Sequence, residues 1–530
     1  MVDLDYLYNP NAAHKAFKRN FFIDKELGFS VIENGVILPH RDTPPGGLVG
    51  ALGGIADSDG NYVMSSFVKH SKINRNYPVT PESLKRSDKT VVYLGFYFPT
   101  WGHVITDDIR RLWFLESEIF KSEFKDCPVV YIPWAQSREV TDKNFRRLLE
   151  IFGIDFDKFQ PITEPTQFKK IILPDESFKN GFTKEYRELI NRARNFALKN
   201  RTPVSSKKIY YFYGRGQVGE ERLAEYFKSK GYAIVQPEKL TLEEQLNVLI
   251  KAESFASTLG SCAHNSVFLR DGTEAIFIPR AANRLTFYQQ LLDQVSCLNP
   301  NYIDSTFSIF TMRNNTFCFI ISEQLKKFFG DKWTGYEEED FKLFLQYSKS
   351  CIERGFTVNS EQLEDYGTVF QDFLSQLKQH EDLMAAFDMP LVAEKFNRLL
   401  IYRTHVHKNG WGVWKIENQI SNSLDQQLDI QAIKIRFPAH KVYYAVCYGS
   451  AGRWSKEMAS SATAGMIGKR KSITGVKIRL DEAGTKNFDI LYRVHTFDGN
   501  WTPWAKNGEE LLSGGVKLNA IQIKLENKRT

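Results

Sequence analysis

Apolar runs of strand length alternate with helical stretches between about residues 90 and 300. Runs such as VVYLGF (91–96) and SFASTLG (254–260) are apolar along almost their whole length, which is typical of strands that helices cover on both faces. This alternation predicts an α/β fold with parallel sheets. Because the strands span nearly 200 residues, we expect two doubly wound halves with a break near 176–206. The strands are predicted at 91–96, 128–133, 169–175, 207–214, 233–238, 254–260 and 274–279.

The segments around this region have other patterns. Residues 28–70 contain Asn-Gly and Asp-Gly pairs between short apolar stretches, which predict β-hairpins. Residues 322–400 are mostly helical, and LEDYGTVFQDFLSQL carries an apolar stripe that predicts packing. We therefore expect an N-terminal lobe (1–180), a second lobe (181–321), a helical connector (322–400) and a C-terminal domain (401–530).

The last 130 residues contain an internal repeat. Copies begin at Tyr402 and Tyr492, and in both a His follows the Tyr by three residues and two Trp follow it by nine and twelve. A weaker third copy begins at Tyr444, and all three close with an alternating strand of the IKI type. Because a β unit of this size cannot bury a core alone, we expect an all-β domain of three units around a pseudo-threefold axis.

The composition is that of a globular protein, and its positive charge is concentrated at one end. The chain is 42% apolar and 25% charged, with a net charge of +7. Residues 401–530 hold 20 Lys and Arg against 11 Asp and Glu. This skew suggests an anionic partner surface, and simple solubility explains it equally well. With no membrane-length apolar run, no signal-peptide pattern and no paired Cys spacing, we expect a cytoplasmic protein, at most peripheral at the inner face of the membrane.

The segment TWGHVITDDIRRLW (100–113) is the first candidate for chemistry. His103, Asp107 and Arg111 are spaced four apart, so on a regular helix they share one face, and Asp108 and Arg110 point elsewhere. A carboxylate beside an imidazole just after a strand can act as a general base, because ligands of open α/β sheets bind at that edge. The alternative, which the spacing alone favours, is a surface salt bridge worth ~0.3–0.5 kcal/mol.

The second candidate is STLGSCAHN (257–265), where a strand ends at Gly260 and a helix begins shortly afterwards. Free N–H groups at a helix start suit a phosphate, and glycine lets a ligand approach the backbone closely. His264 and Asn265 could add side-chain hydrogen bonds. The alternative is simple N-capping by Ser261, and both can hold together.

A third segment, YYFYGRG (210–216), places Arg215 at the end of a strand. An Arg there suits a diphosphate, and an ordinary turn Arg is the equal alternative. The sequence contains no P-loop pattern and no GxSxG. It therefore predicts neither a P-loop protein nor a hydrolase of the GxSxG type. His405 and His407 are only two residues apart and nothing else clusters with them, so no metal site is expected.

Taken together, the three segments resemble glycosyltransferase family 61 over roughly residues 20–300. GHVITDDIRRLW is similar to that family's G-H-(W/F)-x-x-D-x-x-x-R-L-W helix, and YGRG through LGS resembles its Arg-containing strand end and the segment before a G-x-x-x-x-x-N-x-x-F loop. Two places depart from the family. The loop LGSCAHN stands where the family is usually H-G-A-G-rich, with His264 shifted towards Asn265, and Phe277 stands where a strand Glu suited to a ribose hydroxyl is common. The positions in register are His103, Asp107, Arg111, Trp113, Arg215, Glu221, Gln245, Gly260, Asn265, Phe268 and Gly272.

The resemblance implies a GT-B architecture, in which two Rossmann-like lobes flank the active site. It implies an inverting, metal-independent transfer from a nucleotide sugar, usually UDP-linked, to a glycan or glycoprotein hydroxyl, with no cofactor. Asp107 or His103 would take the acceptor proton, with Arg111 in the same catalytic group. The nucleotide would be held by Arg215, Gln245, Gly260, Ser261, His264 and Asn265.

The C-terminal copies resemble the ChW repeats of Gram-positive bacteria, with their G-W-x-x-W core. Such a module implies binding of carbohydrate or protein, and the expected product is a bacterial capsule, another surface glycan or a glycoprotein. No nucleic-acid partner is expected. The alternative function is a non-catalytic, adhesin-like binding protein with a decayed transferase fold. The intact register of His103, Asp107 and Arg111 argues against decay, and Phe277 argues for it.

Overall fold

The computed structural model divides the described chain into two compact units. One comprises Met1–Thr306 and Ile321–Trp333, and the other Phe307–Ile320 and Thr334–Thr530. The boundaries predicted at 180/181, 321/322 and 400/401 stay predictions. The residues described are 4–10, 17, 20–42, 51–67, 74–98, 100–134, 143–199, 202–214, 216–310, 316–354, 356, 359–377, 379–380, 382–383, 400–412, 414–422, 424, 428–437, 440–449, 452–469 and 471–528.

The first sheet of the first unit combines antiparallel and parallel strands. Its strands are β1 (Phe29–Glu33), β2 (Val36–Asp42), β3 (Ala51–Ala56), β4 (Lys85–Tyr97), β5 (Val129–Pro133), β6 (Phe159–Pro161) and β7 (Thr166–Pro174). The spatial order is β3-β2-β7-β4-β5-β6, with β1 also paired to β7. β4 to β7 pair in parallel, whereas β1 to β3 add antiparallel edges. The hairpin region predicted at 28–70 thus extends this sheet.

The second sheet of the same unit is parallel throughout. Its strands are β8 (Lys208–Tyr211), β9 (Ala233–Val235), β10 (Ser254–Thr258), β11 (Glu274–Ile278) and β12 (Asn299–Tyr302). They lie in the order β12-β11-β10-β8-β9. Five residues of β10 are all buried, because helices cover both faces. The predicted mixed α/β organisation is confirmed.

Helices connect most of these strands. The helix Leu242–Lys251 begins at a capping box, in which Thr241 and Glu244 satisfy each other's backbone N–H groups. Within the described residues, no helix combines the length and the apolar composition that crossing a membrane requires. The α-helices of this unit are Trp101–His103, Lys143–Phe152, Lys184–Lys199, Glu220–Ser229, Leu242–Lys251, Phe287–Val295 and Glu323–Phe328, and short 3₁₀ turns are Met64–Ser66, Pro81–Ser83, Phe156–Lys158 and Pro237–Lys239.

Two of the predicted helices are irregular. The segment after β4, where a regular helix would align His103, Asp107 and Arg111, consists of the turn Trp101–His103, a π-helical turn Val104–Asp108 and a 3₁₀ turn Leu112–Glu116, followed by a further π turn at Phe120–Phe124. The residues predicted as a helix at 263–270 form a 3₁₀ turn, Ala263–Phe268. A π turn has more residues per turn than an α-helix and a 3₁₀ turn has fewer, so the regular alignment predicted for His103, Asp107 and Arg111 does not extend to Arg111.

The second unit contains helices Glu338–Glu353 and Ser360–Leu377 and a set of paired strands. The predicted apolar stripe is buried at Tyr366, Phe370, Phe373 and Leu377. Three long antiparallel pairs are Ile401–Val406 with Ile430–Arg436, Val442–Tyr448 with Ile473–Leu480, and Phe488–Thr496 with Leu518–Asn527. Short strands flank them at Gly410–Trp411, Lys415–Ile416, Arg453–Trp454, Met458–Ala459, Ala464–Gly465, Ala505–Lys506 and Leu511–Leu512.

The repeat tyrosines are linked in a cyclic pattern. The Tyr402 hydroxyl accepts the Ile523 N–H and the Tyr444 hydroxyl accepts the Ile435 N–H, both at 3.1 Å. The Tyr492 hydroxyl receives the backbone N–H of Ile478. Each tyrosine is therefore bound by the closing strand of another copy. This pattern supports the pseudo-threefold arrangement, which stays a prediction.

Candidate functional site

A His–Asp pair lies just after β4. The Nδ1 of His103 is 2.7 Å from Oδ2 of Asp107. The imidazole stacks on Phe98, with ring centroids 4.8 Å apart, and 39% of its side-chain surface stays exposed. Because Nδ1 is engaged by the carboxylate, Nε2 is the ring nitrogen that can accept a proton.

The guanidinium beside Asp107 belongs to Arg110. Its Nη1 lies 3.6 Å from Asp107 Oδ1, and its Nη2 lies 2.8 Å from Glu176 Oε1. This corrects the expectations that Arg111 lies beside Asp107 and that Arg110 points elsewhere. The chain after the π turn is wound more tightly, with the Leu112 N–H bonded to the Ile109 carbonyl three residues back, and residue i+3 lies beside the carboxylate. Burial raises the pKa of Asp107, but the His103 hydrogen bond and the Arg110 charge outweigh it and lower that pKa. Asp107 is therefore ionised and stabilises the His103 tautomer with hydrogen on Nδ1.

Arg111 lies in the scaffold behind this pair. Its Nε donates to the Pro174 carbonyl at 2.9 Å, and its Nη2 lies 3.3 Å from Glu176. The side chain is only 1% exposed. These contacts hold Arg111 at the end of β7, and its Nη1 donates to the Leu94 carbonyl of β4, so the side chain lies beneath the surface on which His103 is exposed. The predicted catalytic role of Arg111 stays untested.

A cavity of about 370 Å³ lies at the carboxyl ends of the second sheet's strands. It brings together three residues that the sequence analysis assigned to the nucleotide, namely Gln245, Ser261 and Asn265. Gln245 fixes the loop 237–240 in place, because its Nε2 donates to the Pro237 and Leu240 carbonyls. The cavity is lined by Trp101, Asn144, Tyr213, Gly214, Pro237, Glu238, Gln245, Ser261, Cys262 and Asn265.

Arg280 is a cation at this edge that the sequence analysis missed. Gly260 has φ +145°, and a Cβ there would lie 2.2 Å from Arg280 Nη2. The guanidinium therefore packs directly on the Gly260 backbone, 5.3 Å from the ring centroid of Tyr213. The signal was present in EAIFIPR, where an Arg follows a strand end as Arg215 does. Arg215 itself lies outside the described residues.

The predicted helix start is a tighter turn than expected. The residue before it is Cys262, and no side chain caps it, so N-capping by Ser261 is not observed. Asn265 is fixed from both sides: its Oδ1 accepts the Trp101 Nε1–H at 2.9 Å and its Nδ2 donates to the Cys262 carbonyl. His264 is held by Gln289, whose Oε1 lies 3.0 Å from Nδ1.

The His–Asp pair and the second-sheet cavity meet at Gly102. A Cβ on Gly102 would lie 2.7 Å from Ser261 Oγ and 3.5 Å from His264 Cδ2. Only a residue without a side chain lets these segments approach so closely. His103 is the next residue along the chain, so a proton acceptor stands beside the loop that suits a phosphate.

Residues 101–276 match the family model described as Glycosyltransferase 61. The match includes the His–Asp pair and all ten residues named as the cavity lining, and it ends before Arg280 and the C-terminal copies. It supports glycosyltransferase family 61 and, in general terms, a transferase that takes a nucleotide-sugar donor and a glycan acceptor. The mixed α/β sheets fit such a glycosyltransferase fold. No curated protein matches the chain.

One buried carboxyl near this cavity was also missed. Glu220 opens the helix Glu220–Ser229, and its Oε1 accepts the Tyr213 N–H at 3.2 Å. Burial raises the pKa of Glu220 to about 7, against the lowering effects of that backbone bond and of Arg280. Over the described part of the chain, no group of three or more His, Cys, Asp or Glu is placed to hold a metal ion.

Proposed function

We propose that the protein is an inverting glycosyltransferase that moves a sugar from a UDP-linked donor to a hydroxyl of a bacterial surface glycan or glycoprotein. The observation that carries the proposal is the approach at Gly102 of the His103–Asp107 pair to the 260–265 loop. In this proposal the two sheets of the first unit are the two Rossmann-like lobes of a GT-B fold. The parallel strands β4 to β7 and β8 to β12 support that interpretation.

His103 is the base in this mechanism. The acceptor hydroxyl oxygen attacks the anomeric carbon while the bond from that carbon to the diphosphate oxygen breaks, and its electron pair leaves with UDP. The proton passes to Nε2 of His103. Asp107 binds Nδ1–H and stabilises the imidazolium that forms, so it orients the base and does not itself take the proton. Attack from the side opposite the leaving group inverts the anomeric centre.

Fixed positive charge stabilises the departing diphosphate. Arg280 on Gly260, the cavity-side backbone around Ser261 and, from the sequence, Arg215 supply this potential. Preorganised charge in a protein site is worth more than the same charge in water, because no solvent has to reorient during the reaction. The proposal therefore needs neither a metal nor a cofactor.

Release of free UDP from a panel of UDP-sugars tests the activity, with and without glycan acceptors. The wild type is expected to release UDP from at least one donor, and His103→Phe is expected to reduce that rate at least a hundredfold. Binding of UDP without turnover of any donor would favour the non-catalytic alternative, for which the buried Phe277 in place of a ribose-binding carboxylate argues. No binding and no turnover would reject a transferase altogether.

The C-terminal copies have a binding role in this proposal, as ChW-like modules for carbohydrate or protein. The basic excess over residues 401–530 suits an anionic partner surface. Stacked pairs support a rigid aromatic surface, because the Arg403 guanidinium lies over Trp411 and Trp414 at 4.9 and 4.7 Å, and Arg493 lies likewise over Trp501 and Trp504. A cytoplasmic location, peripheral to the membrane, remains part of the proposal.

A further inference from the structure

His264 is hydrogen-bonded to the side-chain amide of Gln289, which leaves its other ring nitrogen facing away from that amide. We propose that His264 belongs to the sugar subsite, where its Nε2 accepts a hydrogen bond from a hydroxyl of the transferred sugar. This inference rests on the proposed function, and it reassigns a residue that the sequence analysis gave to the nucleotide. It makes His264 a specificity residue for the donor sugar.

The hydrogen-bond network behind His264 fixes its tautomer. The amide nitrogen of Gln289 donates to Ser266 Oγ at 2.9 Å and to Asp293 Oδ1 at 2.8 Å. The amide oxygen of Gln289 therefore faces Nδ1 of His264 at 3.0 Å, and only an Nδ1–H can complete that contact. Tyr302 donates to the other oxygen of Asp293, so the network is anchored in the core. Nε2 of His264 is left as a bare acceptor.

A bare imidazole nitrogen suits a hydroxyl and not a diphosphate. Burial lowers the pKa of His264 to about 4, and the positive charge of Arg280 acts in the same direction. The ring is therefore neutral at physiological pH. Diphosphate oxygens are acceptors only, so they would face the Nε2 lone pair without a proton between them. A sugar hydroxyl can donate to that nitrogen.

The position of His264 is that of a sugar contact. Its Cδ2, the atom bonded to Nε2, lies 3.5 Å from the place of a Cβ on Gly102, next to the base His103. The charges of Arg280, His103 and Asp107 all act on the His264 ring, so the ring lies within electrostatic range of both the cation and the base. In a direct displacement the sugar must lie between the leaving group and the base. His264 therefore borders the space that the sugar has to occupy.

His264→Phe separates the two assignments, because it keeps a planar ring but removes both nitrogens. Titration calorimetry would measure the affinity of UDP alone, of the donor found in the release assay, and of deoxy derivatives of that donor, each lacking one ring hydroxyl. The wild type is expected to bind one deoxy derivative about tenfold more weakly than the donor, as one lost hydrogen bond implies. In His264→Phe the donor and that derivative should bind equally within twofold, and UDP should bind as it does to the wild type.

The other possible results contradict either this inference or the proposed function. A tenfold loss of UDP affinity in His264→Phe would show that His264 contacts the diphosphate and would overturn the inference. Unchanged discrimination between donor and deoxy derivatives would overturn it too. A wild type that binds neither UDP nor any UDP-sugar would instead contradict the proposed function. If His264→Phe does not fold, judged by its thermal unfolding, His264→Gln is measured in the same way; its amide oxygen can accept, so it should retain part of the discrimination.

Discussion

Gly260→Ala tests whether Arg280 holds the diphosphate. The new methyl group would lie 2.2 Å from Nη2 and 2.6 Å from Cζ of Arg280, well inside van der Waals contact. Either the guanidinium or the 260–265 loop has to move. Because the guanidinium lies at the end of a flexible side chain, we expect Arg280 to be displaced from the cavity edge.

The expected loss of UDP affinity follows from the hydrogen bond between the Arg280 guanidinium and the diphosphate, which the displacement would remove. A hydrogen bond to a charged group contributes about 1.5–3 kcal/mol. Since about 1.4 kcal/mol corresponds to a tenfold change in affinity, the Kd for UDP should rise roughly 10- to 150-fold. Backbone strain adds a separate cost to folding, because φ +145° is a conformation that alanine rarely adopts. That cost is about 1–3 kcal/mol in the free energy of unfolding.

Gly272→Ala is the matched control for this strain. Gly272 also has a positive φ, +78°, but nothing lies within 4 Å of the place of its Cβ. Calorimetric titration with UDP and urea unfolding would be measured for both variants. The reasoning is refuted if folded Gly260→Ala binds UDP within twofold of the wild type. Equal losses of UDP affinity in the two variants would assign the effect to strain instead of Arg280.

Three further changes test other parts of the structure. Asp107→Asn should lower kcat by about 10²–10⁴ and leave UDP affinity within threefold, because it affects only the base; a collapse of donor binding in calorimetry would instead place Asp107 on the donor side or in the scaffold. The pKa of Glu220 is higher in the folded than in the unfolded chain, so this group should lower the free energy of unfolding by about 2–3 kcal/mol as pH rises from 5 to 8. Urea unfolding of Glu220→Gln at these pH values should lack that decrease. The same pH dependence in the variant and the wild type would contradict the prediction. Tyr444→Phe should cost about 1–3 kcal/mol in the free energy of unfolding, since the Ile435 N–H loses its acceptor; Tyr448→Phe, on the same strand, should cost less than 0.5 kcal/mol, and equal costs would remove the argument for the tyrosine links.

The strands could be predicted because their signal is local. A parallel strand covered on both faces is apolar along its length, so each of the seven predicted runs gave a strand, with ends shifted by a few residues. The helix after β4 could not be predicted in the same way. Its shape depends on Glu176, which binds Arg110 and Arg111 from far along the chain, and on Asp108, whose carboxylate accepts the Phe98 N–H. Such contacts override helical periodicity and form the π turn.

Arg280 shows a second limit of sequence analysis. A single Arg after a strand is common, and its sequence does not say which strand will lie beside it. In the structure β11 pairs in parallel with β10, so their carboxyl ends adjoin and Arg280 reaches Gly260. The order of strands in the sheet is a property of the whole fold. The same reasoning explains why the contact of His264 with Gln289 could not be predicted from the sequence.

The structure explains why a glycine, Gly102, precedes His103. If residue 102 carried a side chain, its Cβ would collide with Ser261 Oγ at 2.7 Å, and the turn that carries His103 could not lie against the 260–265 loop. The bond from Trp101 to Asn265 holds this approach from the other side of Gly102. Trp101, Gly102 and His103 therefore act together: one residue binds the loop, one permits the contact and one presents the proton acceptor. In the proposed mechanism, His103 therefore keeps a fixed distance from the 260–265 loop, because the same three residues set its position relative to that loop.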